Sequence, residues 1–350
     1  MKIEGTLIGE QAPVYIIAEL SGNHNGRIKA AIEAIVAAKK IGADAIKLQT
    51  YTADTITIDS NREEFQIKHG TIWDGTTLHK LYRQAYTPWE WHAELFRVAR
   101  EEGITIFSSP FDPTAVELLE QLACPAYKIA SPEILDVGLI DLVARTGKPV
   151  IISTGIAAES DISLAVDTCR AAGNEQIALL KCTVEYPAPL EHADLLTIPD
   201  MIRKQKTLVG LSDHTLGFIA PVVAVALGAR IIEKHFIVDK SQGGVDSSFS
   251  LDLAEFEEMV KQVRNAEKCL GTVKYRSEES VRNGHGFSAR SLFFVKDMKA
   301  GQSIGAEDVR SIRPGLGLHP KHLAELMGMV VKADIERGTP VSWELLKDQA

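Results

Sequence analysis

The chain has 350 residues, 45% hydrophobic and 24% charged, with a mean hydropathy near zero, which is ordinary globular composition rather than that of a disordered or membrane-embedded chain. The length exceeds one small module and suits a large barrel with a smaller second domain. A net charge of −9 argues against nucleic-acid binding through a broad basic face, so an anionic ligand has to be held locally. No apolar run near the start is long enough to cross a bilayer or to act as a signal peptide, so the expected partners exclude membrane and the expected location is cytoplasmic. The four cysteines, Cys124, Cys169, Cys182 and Cys269, form no C-x-x-C pair. They are expected to be buried free thiols rather than disulfides or zinc ligands.

From residue 14 to about residue 268, short β-branched runs alternate with stretches of helical period, the pattern of repeated βα units. Strands are predicted over 15–20, 45–50, 105–110, 126–131, 150–154, 177–183, 208–213 and 230–236. Helical segments are read over 29–41, 89–102, 114–122, 137–145, 159–171, 218–227 and 253–269, several closed by a glycine such as Gly42, Gly103, Gly147 or Gly173. Eight such units predict an α/β fold, a parallel (β/α)8 TIM barrel over 1–270. Residues 51–87 separate the second strand from its helix by more than an ordinary loop, which suggests a partly helical lid. The polar stretch 271–286 reads as a linker, and 287–350 as a small mixed domain with apolar positions at Leu292–Phe294, Val330, Val331 and Val341.

The active site of such a barrel lies where the strands end, and those ends are densely polar. Glu19 closes the first strand, Lys47 and Gln49 lie on the second, and Lys128, Ser131 and Glu133 follow the fourth. Ser153, Thr154 and Gly155 end the fifth, with Lys181, Cys182 and Thr183 at the sixth. Ser212, Asp213 and His214 end the seventh, with Glu233, Lys234 and His235 at the eighth. Period-two alternation puts Lys47 with Gln49, Ser212 with His214, and Glu233 with His235 on common faces. Lysines ending barrel strands beside serines indicate an anion site, because a buried ammonium is costly without a partner. His214 and His235 can converge on one labile divalent ion of the manganese or magnesium kind, or be core histidines; spacing alone does not separate the two. Glu133 beside an anion is unfavourable unless the chemistry uses it, as a proton-transfer or water-activating group, or unless it forms a salt bridge to Lys128. Glu19 has the same alternatives.

With these residues placed, the chain resembles the sialic acid synthase family, which condenses phosphoenolpyruvate with an N-acetylated sugar. The matching stretches are IAELSGNHNG (17–26), IKLQT (46–50), YKIASPE (127–133), VIISTG (150–155), KCTVEYPAP (181–189), GLSDHT (210–215), EKHF (233–236) and RPGLGLHP (313–320). The resemblance implies a barrel followed by an antifreeze-like (SAF) domain in a domain-swapped homodimer. Within the family, IWDGTTLHKLYRQAYTPWEW (72–91), SSPFD (108–112) and GGVDSSFSL (243–251) are most similar to the branch that joins phosphoenolpyruvate to 2,4-diacetamido-2,4,6-trideoxy-L-altrose, giving pseudaminic acid and phosphate.

The family pattern implies a divalent metal, Mn2+ before Mg2+ or Co2+, at His214 and His235, and no organic cofactor. It implies phosphoenolpyruvate contacts at Lys47, Gln49, Lys128, Ser131, Ser153, Thr183 and Ser212, and catalysis by Glu133 with Glu19. Sugar contacts are implied at Asn23, Tyr186 and Asp246, with Phe287 and Arg313 supplied by the partner's tail. Val184 stands where the family commonly has Ser or Asn. The alternatives are a synthase of N-acetylneuraminic or legionaminic acid and, in another class, a non-catalytic sugar- or ice-binding protein.

Overall fold

The computed structural model describes residues 1–68, 70–275 and 287–347. Two antiparallel strands, β1 (Lys2–Ile3) and β2 (Thr6–Leu7), come first. Eight parallel strands follow: β3 (Tyr15–Glu19), β4 (Ala45–Thr50), β5 (Thr105–Pro110), β6 (Tyr127–Ile129), β7 (Val150–Ser153), β8 (Ile177–Cys182), β9 (Leu208–Asp213) and β10 (Ile231–His235). Each pairs with the next, and β10 closes on β3, so they form the expected closed barrel. The predicted strands overlap these eight, most ending one or two residues late, because residues such as Leu20, Thr154, Thr183 and Phe236 keep strand-like character after the ladder has stopped.

Ile3 and Ile8 join the barrel's apolar core. Met1 and Glu10 lie beside Ile177 and Leu208, where β8 and β9 begin, so the first hairpin covers the end of the barrel opposite the strand C-termini. The helix Pro113–Gln121 starts on an Asp112 carboxylate that accepts from the backbone N–H groups of Thr114 and Ala115. The helix Leu253–Leu270 opens with a capping box between Asp252 and Glu255. One helix, Thr197–Gln205 between β8 and β9, went unread in the sequence. Its proline sits at the third position, where no intrahelical N–H is needed, yet it reads as a breaker.

The 51–87 insertion contains the short helix Ala53–Ile56, a 3-10 turn at Glu63–Phe65 and the helix Leu78–Ala85, partly helical as expected. Cys124, Cys169 and Cys182 are buried thiols, but Cys269 is exposed. That corrects the expectation for Cys269, which lies on the solvent side of an amphipathic helix whose buried positions are Phe256, Met259 and Val263.

The chain divides into two units, Met1–Gly271 and Thr272–Ala350. Of the linker read over 271–286, residues 276–286 lie outside the described residues. The second unit contains the antiparallel pair β11 (Ser291–Phe294) and β12 (Val309–Ile312). Its core is built from Leu292, Phe294, Val309, Leu326, Val331 and Val341 among others. A side chain at Gly317 would meet the Leu292 carbonyl at 2.2 Å, so the second glycine of RPGLGLHP is set by a close backbone approach.

No helix among the described residues is long and apolar enough to cross a membrane.

Candidate active site

Barrel closure sorts the strand-end residues by direction. In the β9–β10 ladder Ser212 lies opposite Glu233 and Asp213 opposite Lys234. Since neighbouring residues of a strand point to opposite faces, Glu233 and His235 face the interior while Lys234 faces the helices. The same alternation turns Lys181 outward, next to inward Cys182, and its ammonium donates to the Cys182 carbonyl at 3.0 Å. Lys47 and Lys128 are thus the strand-end lysines that reach the interior.

Both are almost fully buried, and they meet a carboxylate absent from the expected site: Glu233. Its Oε1 is 3.1 Å from Lys128 Nζ and 3.4 Å from Lys47 Nζ, and it accepts from Ser212 Oγ at 3.2 Å. Lys47 also pairs with Glu19 Oε2 at 2.8 Å and donates to Ser109 Oγ at 3.2 Å, while Gln49 Nε2 donates to Glu19 Oε1 at 3.0 Å. Six strands therefore contribute to one buried polar network. Burial pushes the Glu19 carboxyl up against the opposing pull of Lys47. Burial would raise Glu233 too, but Lys128 and Lys47 outweigh it and hold that carboxyl low. The physical result is one firm anion, Glu233, between two cations.

Glu133 is not the partner of Lys128; the alternative of a salt bridge between them gives way to the Lys128–Glu233 pair. The Glu133 carboxyl sits in the 3-10 turn Pro132–Leu135 after β6. Its Oε2 is buried without a hydrogen bond, and burial, only partly countered by the backbone N–H of Glu133 and by Lys128, raises the carboxyl to about 7. Buried side-chain atoms without a hydrogen bond at or just beyond the strand ends also include Ser153 Oγ, Glu233 Oε2, His235 Nδ1, Asn23 Oδ1 and the ion-paired Glu19 Oε2, against Tyr15 Oη and Thr207 Oγ1 at the strand starts. Buried polar atoms are normally satisfied, so their concentration at one barrel mouth marks where ligand atoms belong.

The His214 and His235 rings lie 5.3 Å apart, centroid to centroid. His214 Nδ1 donates to the Thr183 carbonyl at 2.7 Å, which leaves Nε2 as the free lone pair. Burial, with His214 and the lysines nearby, pushes His235 well below the usual histidine range, so its ring is neutral. For His214 the lowering by burial is outweighed by Cys182 and the Thr183 carbonyl, which pull that ring upward. A neutral His235 with an unpartnered Nδ1, together with the Nε2 of His214, is a donor pair that a divalent ion can take on releasing a proton. Among the described residues no third His, Cys, Asp or Glu completes a metal-binding group with them, which suits an ion finished by water and substrate oxygens.

Above this floor is a cavity of about 530 Å³ lined by Gln49, Glu133, Tyr186, His235 and Asp246 together with Trp73, Leu78, Leu81 and Tyr82 of the insertion. The Tyr186 ring lies 4.4 Å from that of His214, and Trp73 donates its indole N–H to the Val245 carbonyl at 2.9 Å. Asp246 Oδ2 is 3.9 Å from His235 Nδ1. Ser131 accepts from the Gly155 N–H at 2.9 Å, and a side chain at Gly155 would press on Ser131 Oγ at 2.8 Å. Val184 also lines the cavity.

Two expected contacts are not brought to it. The Asn23 amide is held by the Phe236 carbonyl at 2.9 Å and Ser250 Oγ at 2.8 Å, where it braces the loop after β10. The Thr183 hydroxyl donates to the His192 carbonyl at 3.0 Å on the rim. Phe287 and Arg313 belong to the second unit, where Phe287 is exposed and Arg313 directly follows β12. Glu233 and Ser109 are the site members missing from the expected set. Register was the available signal for Glu233, since it shares an inward face with His235.

Comparison with known proteins agrees with this geometry. The NeuB family model matches residues 34–275 and the SAF domain model residues 289–347. A pseudaminic acid synthase of Campylobacter jejuni is 49% identical over 325 residues, 93% of this chain and 94% of the relative. One of Helicobacter pylori is 44% identical over 94% of this chain and 97% of its own length. Among solved structures, an N-acetylneuraminic acid (sialic acid) synthetase of Leptospira borgpetersenii, in complex with citrate, superposes with a TM-score of 0.72 at 30% identity, covering 81% of this chain and 96% of that one. An interior-facing lysine and carboxylate network beneath paired histidines, in a barrel matched over this extent, places the chain in the NeuB family, with a SAF domain at its C-terminal end.

Proposed function

We propose that this chain makes pseudaminic acid by condensing phosphoenolpyruvate with 2,4-diacetamido-2,4,6-trideoxy-L-altrose and water, releasing phosphate. The observation that carries the reading is the 44–49% identity to pseudaminic acid synthases over more than nine tenths of the chain. In this reading Lys47, Lys128 and Ser212, with Gln49, Ser131 and Ser153, hold the phosphoenolpyruvate carboxylate and phosphate. Tyr186 and Asp246 hold the sugar in the cavity above, so that C3 of phosphoenolpyruvate faces the sugar aldehyde. His214 and His235 would hold a divalent ion, Mn2+ in the first place, which supplies Lewis-acid polarisation of that aldehyde. Once the carbon–carbon bond has formed, water adds at C2, and Glu133 takes its proton before phosphate leaves. Phe287 and Arg313 reach the sugar from the partner's tail in a homodimer. A cytoplasmic location is part of this reading, consistent with the lack, among the described residues, of a helix long and apolar enough to cross a membrane.

The apolar insertion residues Leu78, Leu81 and Tyr82 suit the 6-methyl of a deoxy sugar, and a mismatched hydroxyl there costs about 1–3 kcal/mol. Phosphate release with Mn2+ and a panel of three sugars tests the choice. The L-altrose derivative is expected to exceed N-acetylmannosamine by at least roughly tenfold in kcat/KM, whereas 2,4-diacetamido-2,4,6-trideoxymannose, which shares the 6-methyl, reads recognition of ring configuration separately. Equal or better turnover of N-acetylmannosamine overturns the substrate and leaves the family assignment intact.

A further inference from the structure

Lys234 is fully buried, on the outer face of the barrel, and takes no part in the interior network. Its ammonium contacts Asp213 Oδ2 at 2.5 Å and also donates to the Thr215 carbonyl. Asp213 in turn accepts from the Thr215 N–H at 3.0 Å and from the Thr215 hydroxyl at 3.2 Å. Asp213 and Thr215 flank His214, and Lys234 precedes His235. One buried cation thus joins both sides of the first histidine to the strand position adjoining the second, in a knot where Asp213 and Lys234 are ladder partners.

A buried ion pair is a poor device for stability, since a well-packed apolar pair of the same volume often serves as well. What an apolar pair lacks is direction. The three groups fix the path of the chain as it leaves β9, and with it the point from which the His214 ring projects toward His235. We propose that Lys234, with Asp213 as its counter-charge, is a positioning residue for the histidine pair: it sets the separation of the two imidazoles and therefore the affinity of the site for a divalent cation. The proposal rests on the reading of His214 and His235 as the metal pair. It adds residues that never touch the ion, acting as outer-shell partners act on a metal centre.

The test is Mn2+ binding by titration calorimetry to the metal-stripped full-length chain, beside Lys234→Met and the double variant Asp213→Asn/Lys234→Met, with His214→Ala/His235→Ala as the blank. Circular dichroism checks that each variant is folded. The single variant leaves the Asp213 charge unpaired and loses stability; the double variant removes both charges and keeps the fold available if the single one fails. Wild type is expected to bind and the blank not to, with affinity falling roughly 10–100-fold in the folded variants. Mn2+ affinity in a folded double variant equal to wild type overturns the positioning role alone. No binding by the wild-type chain overturns the metal reading, and the positioning role with it.

Discussion

Replacing Glu133 with Gln should make the protein more stable and much less active, and the two effects share one physical cause. Burial holds this carboxyl at about 7 instead of 4.5, and its Oε2 has no hydrogen bond to offset lost hydration. At about 1.4 kcal/mol per tenfold, ionising it in the folded chain costs about 3 kcal/mol. Partial exposure of the side chain makes that figure an upper end. Below pH 4.5 both folded and unfolded chains carry the proton and nothing is lost. Between 4.5 and 7 the unfolded chain releases its proton while the folded chain keeps it, so stability falls as pH rises; above 7 the cost is constant. Gln never ionises. Urea unfolding at pH 8 should therefore show Glu133→Gln more stable than wild type by up to about 3 kcal/mol, with the difference closing toward pH 4.5. The same carboxylate works as a base only when ionised, so wild-type kcat/KM should climb with pH through about 7. The variant should lose about 10²–10⁴ in kcat, measured as phosphate release. A variant equally stable or less stable at pH 8 would refute the desolvated carboxyl, and a loss below about tenfold would refute the base.

Two further outcomes are expected. Glu233→Gln removes the anion that holds Lys47 and Lys128 together and keeps them protonated against burial. With it gone, burial favours a deprotonated, splayed pair, so KM for phosphoenolpyruvate should rise by about tenfold or more while KM for the sugar moves little; steady-state kinetics in each substrate check this, and an equal rise in both would indicate general disruption. If the tail acts across a dimer, mixing inactive Arg313→Ala and Glu133→Gln proteins under subunit exchange should restore part of the activity, because each hybrid then has one site with both residues intact; no recovery with exchange confirmed counts against the crossed arrangement.

Periodicity and punctuation carried much of this protein. Eight β-branched runs, separated by helical stretches and closed by glycines such as Gly103 and Gly147 that adopt positive φ, determine a parallel barrel because those patterns are local in sequence. Lys47, Lys128, His214 and His235 were legible for the same reason: each lies at a strand end, and strand ends converge in this fold. The family was legible in motifs that keep their order along the chain.

Tertiary structure alone decided which polar neighbours meet. Glu133 and Glu233 are equally acidic in sequence, but pairing across the closed barrel gives Lys128 to Glu233, 105 residues away, and leaves Glu133 desolvated. Lys181 and Lys234 resemble Lys47 and Lys128 in sequence, yet the pleat turns them to the helix side, because inward or outward direction changes with a single residue of register. Asn23 and Thr183 sit within matched motifs, but each binds backbone that only the folded chain brings near. Strand ends are thus set by local pattern, whereas charge pairing and desolvation depend on groups far apart in the chain, and those are what make one carboxylate an anchor for lysines and leave the other desolvated.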